Sequence, residues 1–265
     1  MTVSGMKEWA LLARISERYQ KILAEKLTGI YVHGSIAFGC FRWETSDIDF
    51  LVVVEESLTQ SEKEALIRVL LDLDAQAPCK GFEMSVVLRS ACAPFAEPVP
   101  YELHYSNAYR ANYQGDLGGT CTVLQGFDPD LAAHMTVVYN AGRVLCGLPV
   151  KRVFAPVPRE SYLRSIWYDI ESAQEDIQRD PVYYVLNLCR VLACVEEGLV
   201  LSKAQGGEWG MEHLMEEREL IRKALLAYRC GAPEPSGPEL CSFAEKVLRR
   251  IRQYDVFLNA CLKKD

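Results

Sequence analysis

Apolar residues recur at helical spacing over residues 8–27, at Leu11, Leu12, Ile15, Tyr19, Ile22 and Leu23, so the chain opens on an amphipathic helix. The period then changes. Residues 29–33 form a short apolar run ending at Gly34-Ser35, the pattern of a strand entering a tight turn. A second strand follows over Ile48–Val54, and its density of β-branched residues predicts burial on both faces. Helical spacing returns over residues 61–75, and the alternating run Phe82–Leu88 predicts a third strand of the same sheet. Residues 91–120 carry prolines, aromatics and Gly115, Gly118 and Gly119, and only 101–105 reads there as a strand. A helix is expected over 130–145.

The proline-rich passage 154–158 reads as a linker. Beyond it the pattern is helical throughout, over 161–177, 182–197, 210–229 and 239–262, with a polar, proline-containing loop at 231–238. The fold class expected is α/β (α+β): an N-terminal domain with a mixed sheet, residues 1–157, followed by a C-terminal α-helical bundle, residues 158–265.

Composition narrows the function classes. Of 265 residues, 49% are hydrophobic and 25% charged, enough to bury a proper core and too apolar for global disorder. A net charge of -7 excludes a generally basic surface of the kind that grips nucleic acid phosphates, and it suits a cationic ligand better. No apolar run approaches the ~20 residues of a membrane helix, and residues 1–10 lack the basic and apolar segments of a secretory leader. Ten cysteines are scattered without a CxxC pair, which points to free thiols in a reducing compartment. A cytoplasmic protein with neither nucleic acid nor membrane as partner is the expectation.

The chemistry is concentrated in residues 33–54, HGSIAFGCFRWETSDIDFLVVV. Asp47 and Asp49 lie two apart at the start of a strand, so both carboxylates project to one side. Two adjacent acids repel unless a cation sits between them, and Mg²⁺ bound by carboxylates and substrate phosphates is the usual solution in nucleotide enzymes. Upstream, the Gly34-Ser35 turn allows close backbone approach and exposes N–H groups that can hold a phosphate. Displacement at a phosphorus atom also needs a group to take the proton of the attacking hydroxyl. Glu83, an acid inside an apolar strand, is the candidate, because such a residue is rarely buried without a partner or a task. A DxD pair alone is common. Its combination with the Gly-Ser turn and the later acidic strand is specific.

These motifs resemble the nucleotidyltransferase superfamily that includes DNA polymerase β and the antibiotic nucleotidyltransferases. Further along, Asp128-Pro129-Asp130-Leu131-Ala132, residues 180–190, Leu201-Ser202-Lys203-Ala204 and Glu208-Trp209-Gly210-Met211-Glu212 are similar to the streptomycin/spectinomycin-type aminoglycoside adenylyltransferases. The resemblance spans roughly residues 30–231. It implies AMP transfer from ATP to a hydroxyl of an aminoglycoside-type antibiotic, with release of pyrophosphate. It also implies Asp47, Asp49 and Glu83 as catalytic acids, Mg²⁺ on the two aspartates, and nucleotide contacts from Gly34, Ser35, Ser46, Asp130, Arg190, Lys203 and Tyr228. The metal acids precede Val157 while Arg190, Lys203 and Tyr228 follow it, so neither half carries both charges.

The sequence adds support at Arg190. Residues 182–195 are apolar around nearly the whole helix circumference, so this helix should be central, and a guanidinium there needs an anion, either an ATP phosphate or an internal carboxylate. Asp176 and Asp180 are candidates for binding a cationic acceptor, whereas Asp169 and Glu175 read as the solvated face of the first bundle helix. Where streptomycin-modifying members carry a tryptophan this chain has Glu171, which favours spectinomycin over streptomycin. His33, His104, His134 and His213 lack metal-ligand spacing and a nucleophile partner, and read as structural. Trp209 reads as a packing anchor. Two other functions stay open: a nucleotidyltransferase of the same build with a different small-molecule or protein acceptor, and a non-catalytic toxin–antitoxin module, against which the intact acids argue.

Overall fold

The computed structural model describes residues 4–254. It divides into two compact units whose boundary falls between Val157 and Pro158. The first contains strands β1 (Leu27–Val32), β2 (Ile48–Val54), β3 (Phe82–Leu88), β4 (Pro100–Tyr101), β5 (Leu103–Tyr105), β6 (Gly126–Phe127) and β7 (Arg143–Gly147). Its helices are α1 (Ser4–Leu23), α2 (Gly34–Ala37), α3 (Gln60–Leu73), α4 (Arg89–Cys92), α5 (Arg110–Gly115), α6 (Leu117–Val123), α7 (Leu131–Ala141) and α8 (Val150–Val153). Five strands form one mixed sheet in the order β5-β3-β2-β1-β7, and β4 pairs with β6 in a small ribbon. Within the main sheet only β2 and β3 are parallel.

Every residue of β2 is buried, as its β-branched run requires. Alternation sorts the side chains between two cores. Ile48, Phe50, Val52 and Val54 join Met84 and Val86 against Leu12, Ile15 and Tyr19 of α1 and Leu66 and Leu70 of α3. On the other face, Tyr31, Leu51, Val53 and Val87 pack on Leu131, Met135 and Val138 of α7. Each such apolar side chain contributes about 1.5–3 kcal/mol by leaving water. Asp49 and Glu83 alternate onto this second face, beyond the apolar part that α7 covers. The start of α3 is fixed by a capping box in which Thr59 accepts from the Glu62 amide and Glu62 accepts from the Thr59 amide.

Several boundaries differ from the sequence pattern. The helix expected over 130–145 stops at Ala141, because Gly142 turns the chain to extended ψ (149°) and Arg143–Gly147 pairs with the outer edge of β1. The strand expected over 101–105 is divided at Glu102, which leaves β4 in the ribbon and β5 in the main sheet. The passage 154–158 begins inside the first unit. Phe154 is 3% exposed and meets Tyr31 edge-on at 4.9 Å.

The second unit contains α9 (Arg159–Tyr168), α10 (Ala173–Asp176), α11 (Pro181–Glu197), α12 (Lys203–His213), α13 (Arg218–Cys230) and α14 (Glu239–Arg252). Helix α11 is its axis, buried along most of its length and packed on α9, α12, α13 and α14. The helix expected over 161–177 is interrupted at 169–172, where the amides of Ile170 and Glu171 both turn back to the Trp167 carbonyl. Helix α12 starts at Lys203 rather than 210, capped by Ser202 and Gln205, and a break at Leu214 separates it from α13. Gly206, Gly207 and Gly210 weaken the helical pattern there. They also let α12 approach closely, since a Cβ at those positions would press on Arg190, Leu186 and Cys189 of α11. Helix α14 ends at Arg252, and the rest of the helix expected to reach Leu262, from residue 255 on, lies outside the described residues, as does Cys261. The nine cysteines among the described residues are free. No helix among them is long and apolar enough to cross a membrane.

Candidate active site

Parallel pairing of β2 with β3 sets Asp49 in register with Glu83. With Asp47, one turn of the pleat earlier, these residues offer three carboxylate oxygens that all lie within 4.8 Å of one another. Asp49 is buried at 8% exposure, while the Glu83 side chain is about a third exposed, at 31%. Oxygen donors this close, in a set of three acids, fit a hard divalent cation such as Mg²⁺.

The chain enters this cluster from β1. The His33 amide donates to the Asp49 carbonyl at 3.0 Å, and the next residue, Gly34, has φ +58°. Glycine is required there twice over: the backbone is left-handed, and a Cβ would collide with the Asp49 carboxylate. Ser35 follows, its Oγ buried without a hydrogen-bond partner among the described residues. The loop to Asp47 closes on itself, with Ser46 N donating to Arg42 O at 2.8 Å and Arg42 N donating to Ser46 Oγ at 3.1 Å. Arg42 Nε and Thr45 Oγ1 are likewise buried and unpartnered. Orphaned donors of this kind mark a place where something else accepts.

Glu83 opens onto a cavity of about 400 Å³ whose walls include Asp128, Asp130 and the rings of Tyr101, Tyr109 and Phe127. Phe127 is 64% exposed, so its ring is open to a ligand in the cavity. His104 also lines it, on β5 opposite Ser85, whose Oγ is 2.9 Å from its Nδ1. Burial lowers the His104 pKa, partly offset by the carboxylates of Glu83 and Asp128. His134 of α7 places Nε2 3.6 Å from Glu83 Oε1. Its ring lies against His33 at 4.6 Å, and burial, aided by His134, pushes His33 well below the usual imidazole range. Asp130, at the start of α7, donates its amide to Asp128 Oδ1 at 2.9 Å.

In the second unit Arg190 pairs with Asp169 at 2.9 Å, and Tyr183 donates its hydroxyl to the other Asp169 oxygen at 2.7 Å. Lys203 lies 4.7 Å from the Tyr183 ring centre. Burial opposes the charge on Arg190, but Asp169 together with the nearby Tyr162, Tyr183 and Cys194 outweighs it, so the guanidinium is held protonated, with its Nε buried and without a hydrogen-bond partner among the described residues. Asp169 is thus a half-buried partner rather than a solvated residue, because the turn at 169–172 directs it inward. Tyr228 is half-buried on α13. Asp180 caps α11 by accepting from the Tyr183 amide at 3.1 Å, and Asp176 accepts from Tyr184 Oη at 3.5 Å. Trp209 is 7% exposed and donates to Glu197 at 2.7 Å.

The predicted residues therefore fall into groups. Asp47, Asp49 and Glu83 come together beside Gly34, Ser35 and Ser46, with Asp130 across the cavity. Arg190 and Lys203 share the Tyr183–Asp169 pair. Sequence spacing did not single out His134, His104, Tyr101, Tyr109 or Phe127, which reach Glu83 or its cavity from separate elements.

Comparison with known proteins places both units. A family profile described as "Nucleotidyltransferase domain" matches residues 12–90, and one described as "Aminoglycoside adenylyltransferase, C-terminal domain" matches 152–250. Spectinomycin 9-adenylyltransferase of Enterococcus faecalis is 25% identical over 227 residues, 81% of this chain and 85% of the relative. Aminoglycoside (3'') (9) adenylyltransferase of Klebsiella pneumoniae is 24% identical over 233 residues, 83% of this chain and 87% of the relative. A crystal structure of the Enterococcus spectinomycin adenyltransferase AAD(9) with ATP and spectinomycin shares the fold, with a TM-score of 0.76 and 21% identity over 92% of this chain and 99% of that one.

Proposed function

Because the chain belongs to the streptomycin/spectinomycin-type aminoglycoside adenylyltransferases of the nucleotidyltransferase superfamily, we propose that it transfers AMP from ATP to a hydroxyl of such an antibiotic and releases pyrophosphate. Spectinomycin is the preferred acceptor. The observation that carries this reading is the convergence of Asp47, Asp49 and Glu83, the last of which opens onto an acidic, aromatic-walled cavity.

Asp47 and Asp49 hold Mg²⁺, which when bound neutralises phosphate charge and makes the α-phosphate easier to attack. The side chains of Ser35 and Ser46, and the close backbone approach that Gly34 permits, face the triphosphate. Asp130, Arg190, Lys203 and Tyr228 supply the other nucleotide contacts, the two cations matching the anionic charge. Glu83 takes the proton from the acceptor hydroxyl as its oxygen bonds to the α-phosphorus and the bond to pyrophosphate breaks. Acids such as Asp128 and aromatic walls such as Tyr109 suit a hydroxyl-rich cationic ring, through charge on one side and cation–π contact on the other. Asp176 and Asp180 extend the negative character offered to the acceptor.

Pyrophosphate release from ATP and Mg²⁺ across a panel of aminoglycosides and spectinomycin tests this reading. Spectinomycin-dependent release supports it. A protein that hydrolyses or transfers nucleotide with none of the panel acts on another acceptor.

A further inference from the structure

Of the four histidines in the chain, His134 approaches Glu83, His104 lines the cavity onto which Glu83 opens, and His33 lies against His134. His134 is placed by α7, whose neighbours Leu131, Met135 and Val138 are locked in the second core. One edge of its ring faces Glu83, with Nε2 3.6 Å from Oε1, and one face rests on His33 with the ring planes 32° apart. His33 cannot yield. It is 3% exposed, its amide is bonded to the Asp49 carbonyl, and the left-handed Gly34 follows it. The His134 ring is therefore held between a fixed ring and a carboxylate. The imidazole is half-buried, with 21% of its side chain exposed, and it turns its polar edge to the Glu83 carboxylate rather than to solvent alone.

We propose that His134 is a positioning residue for Glu83, holding the carboxylate in the rotamer that faces the acceptor cavity. This rests on the reading of Glu83 as the proton acceptor. A glutamate on a strand has three free side-chain torsions, and in most of their combinations its oxygens miss an attacking hydroxyl. His104, held by Ser85, lines the cavity onto which the same carboxylate opens. The His33–His134 contact also links the segment that carries the Gly34-Ser35 turn to the residue that faces Glu83.

The test compares His134→Leu, which keeps the volume, with His134→Gln, whose amide reaches the Nε2 position, each alone and with Glu83→Gln. Circular dichroism and melting establish that each variant folds. His134→Leu is expected to lower kcat about 10–100-fold, the scale of a small misplacement of a reacting group, with KM for ATP unchanged. His134→Gln should recover most of that loss, and in the Glu83→Gln background His134→Leu should add nothing. Turnover of His134→Leu within twofold of wild type, failure of His134→Gln to recover it, or additive losses would each overturn the proposal. If wild type turns over no acceptor at all, the functional reading fails, and the pair is judged by the His134 imidazole resonance, assigned by its absence in His134→Gln. That resonance must move on Glu83→Gln, and an unmoved one refutes the contact.

Discussion

Replacing Gly34 by alanine separates two costs that the structure assigns to one residue, and Gly39→Ala provides the comparison. Both glycines have positive φ, +58° and +73°, in the same loop region. An L-residue pays about 1–2 kcal/mol to adopt that conformation. At roughly 2–4 °C per kcal/mol for a domain of this size, each variant should melt a few degrees lower. The second cost differs. The new Cβ at position 39 would meet nothing, whereas at position 34 it would fall on the Asp49 carboxylate, which is 8% exposed and must turn or carry its strand with it. A displacement near 1 Å in a metal-holding group costs on the order of 100-fold in rate. Scanning calorimetry and spectinomycin-dependent pyrophosphate release, measured on both variants, give the result. A melting shift at least as large in Gly34→Ala as in Gly39→Ala, with activity lost only in Gly34→Ala, is expected. Turnover of Gly34→Ala within tenfold of Gly39→Ala would show that the close approach to Asp49 is not needed for the reaction.

Asp47→Asn and Asp49→Asn should each abolish transfer while circular dichroism stays native, and near-wild-type turnover of either with Mg²⁺ would refute the metal assignment. Glu83→Gln should retain ATP binding by calorimetry yet turn over ~10²–10⁴-fold more slowly, the usual share of a general base, whereas lost ATP binding would make Glu83 a metal ligand instead. Asp169→Asn leaves the Arg190 guanidinium without its carboxylate and should destabilise the bundle by roughly 1–3 kcal/mol in urea unfolding, the cost of an unsatisfied buried group. A neutral result would mean the pair is solvated. Thiol labelling followed by mass spectrometry should find exposed Cys79, Cys230 and Cys241 modified at once. Cys92 and Cys121, buried and with pKa values pushed up to about 12 and about 11, should react only on unfolding, and fast labelling of either would contradict the packing.

What could be read from the sequence was set by how local its physical cause is. β2 and β3 were legible to the residue because two-sided burial leaves an uninterrupted β-branched run, and the acids that interrupt it announce themselves. The α12 boundary was not legible, because Gly206, Gly207 and Gly210 answer to the proximity of α11 rather than to helix propensity. β7 escaped for a related reason: five residues following a helix show too little alternation, and only the unpaired edge of β1 makes them a strand. At the site, the acids were visible as a motif. The rings around them were not, because Tyr101, Tyr109, Phe127 and His134 come from separate segments whose meeting depends on the tertiary fold.

The convergence of the three acids is itself a product of topology. Asp49 and Glu83 are far apart in the chain, and they become neighbours because β2 and β3 are parallel and paired in register at those two positions. A parallel pair needs a crossover, which α3 and the short 3-10 turn after it supply. Had β3 returned as a hairpin, antiparallel to β2, the start of one strand would lie beside the end of the other, and Glu83 would face the Val54 end. Parallel pairing instead puts the beginnings of both strands at the same edge of the sheet, where the antiparallel β1 ends and delivers His33, Gly34 and Ser35. The period of two then decides the face, since Asp49 and Glu83 alternate with Phe50 and Met84, whose burial in the first core fixes the pleat. The same apolar packing that stabilises the sheet therefore aims the carboxylates, and the crossover helix, remote from the chemistry, is what brings Glu83 within reach of Asp49.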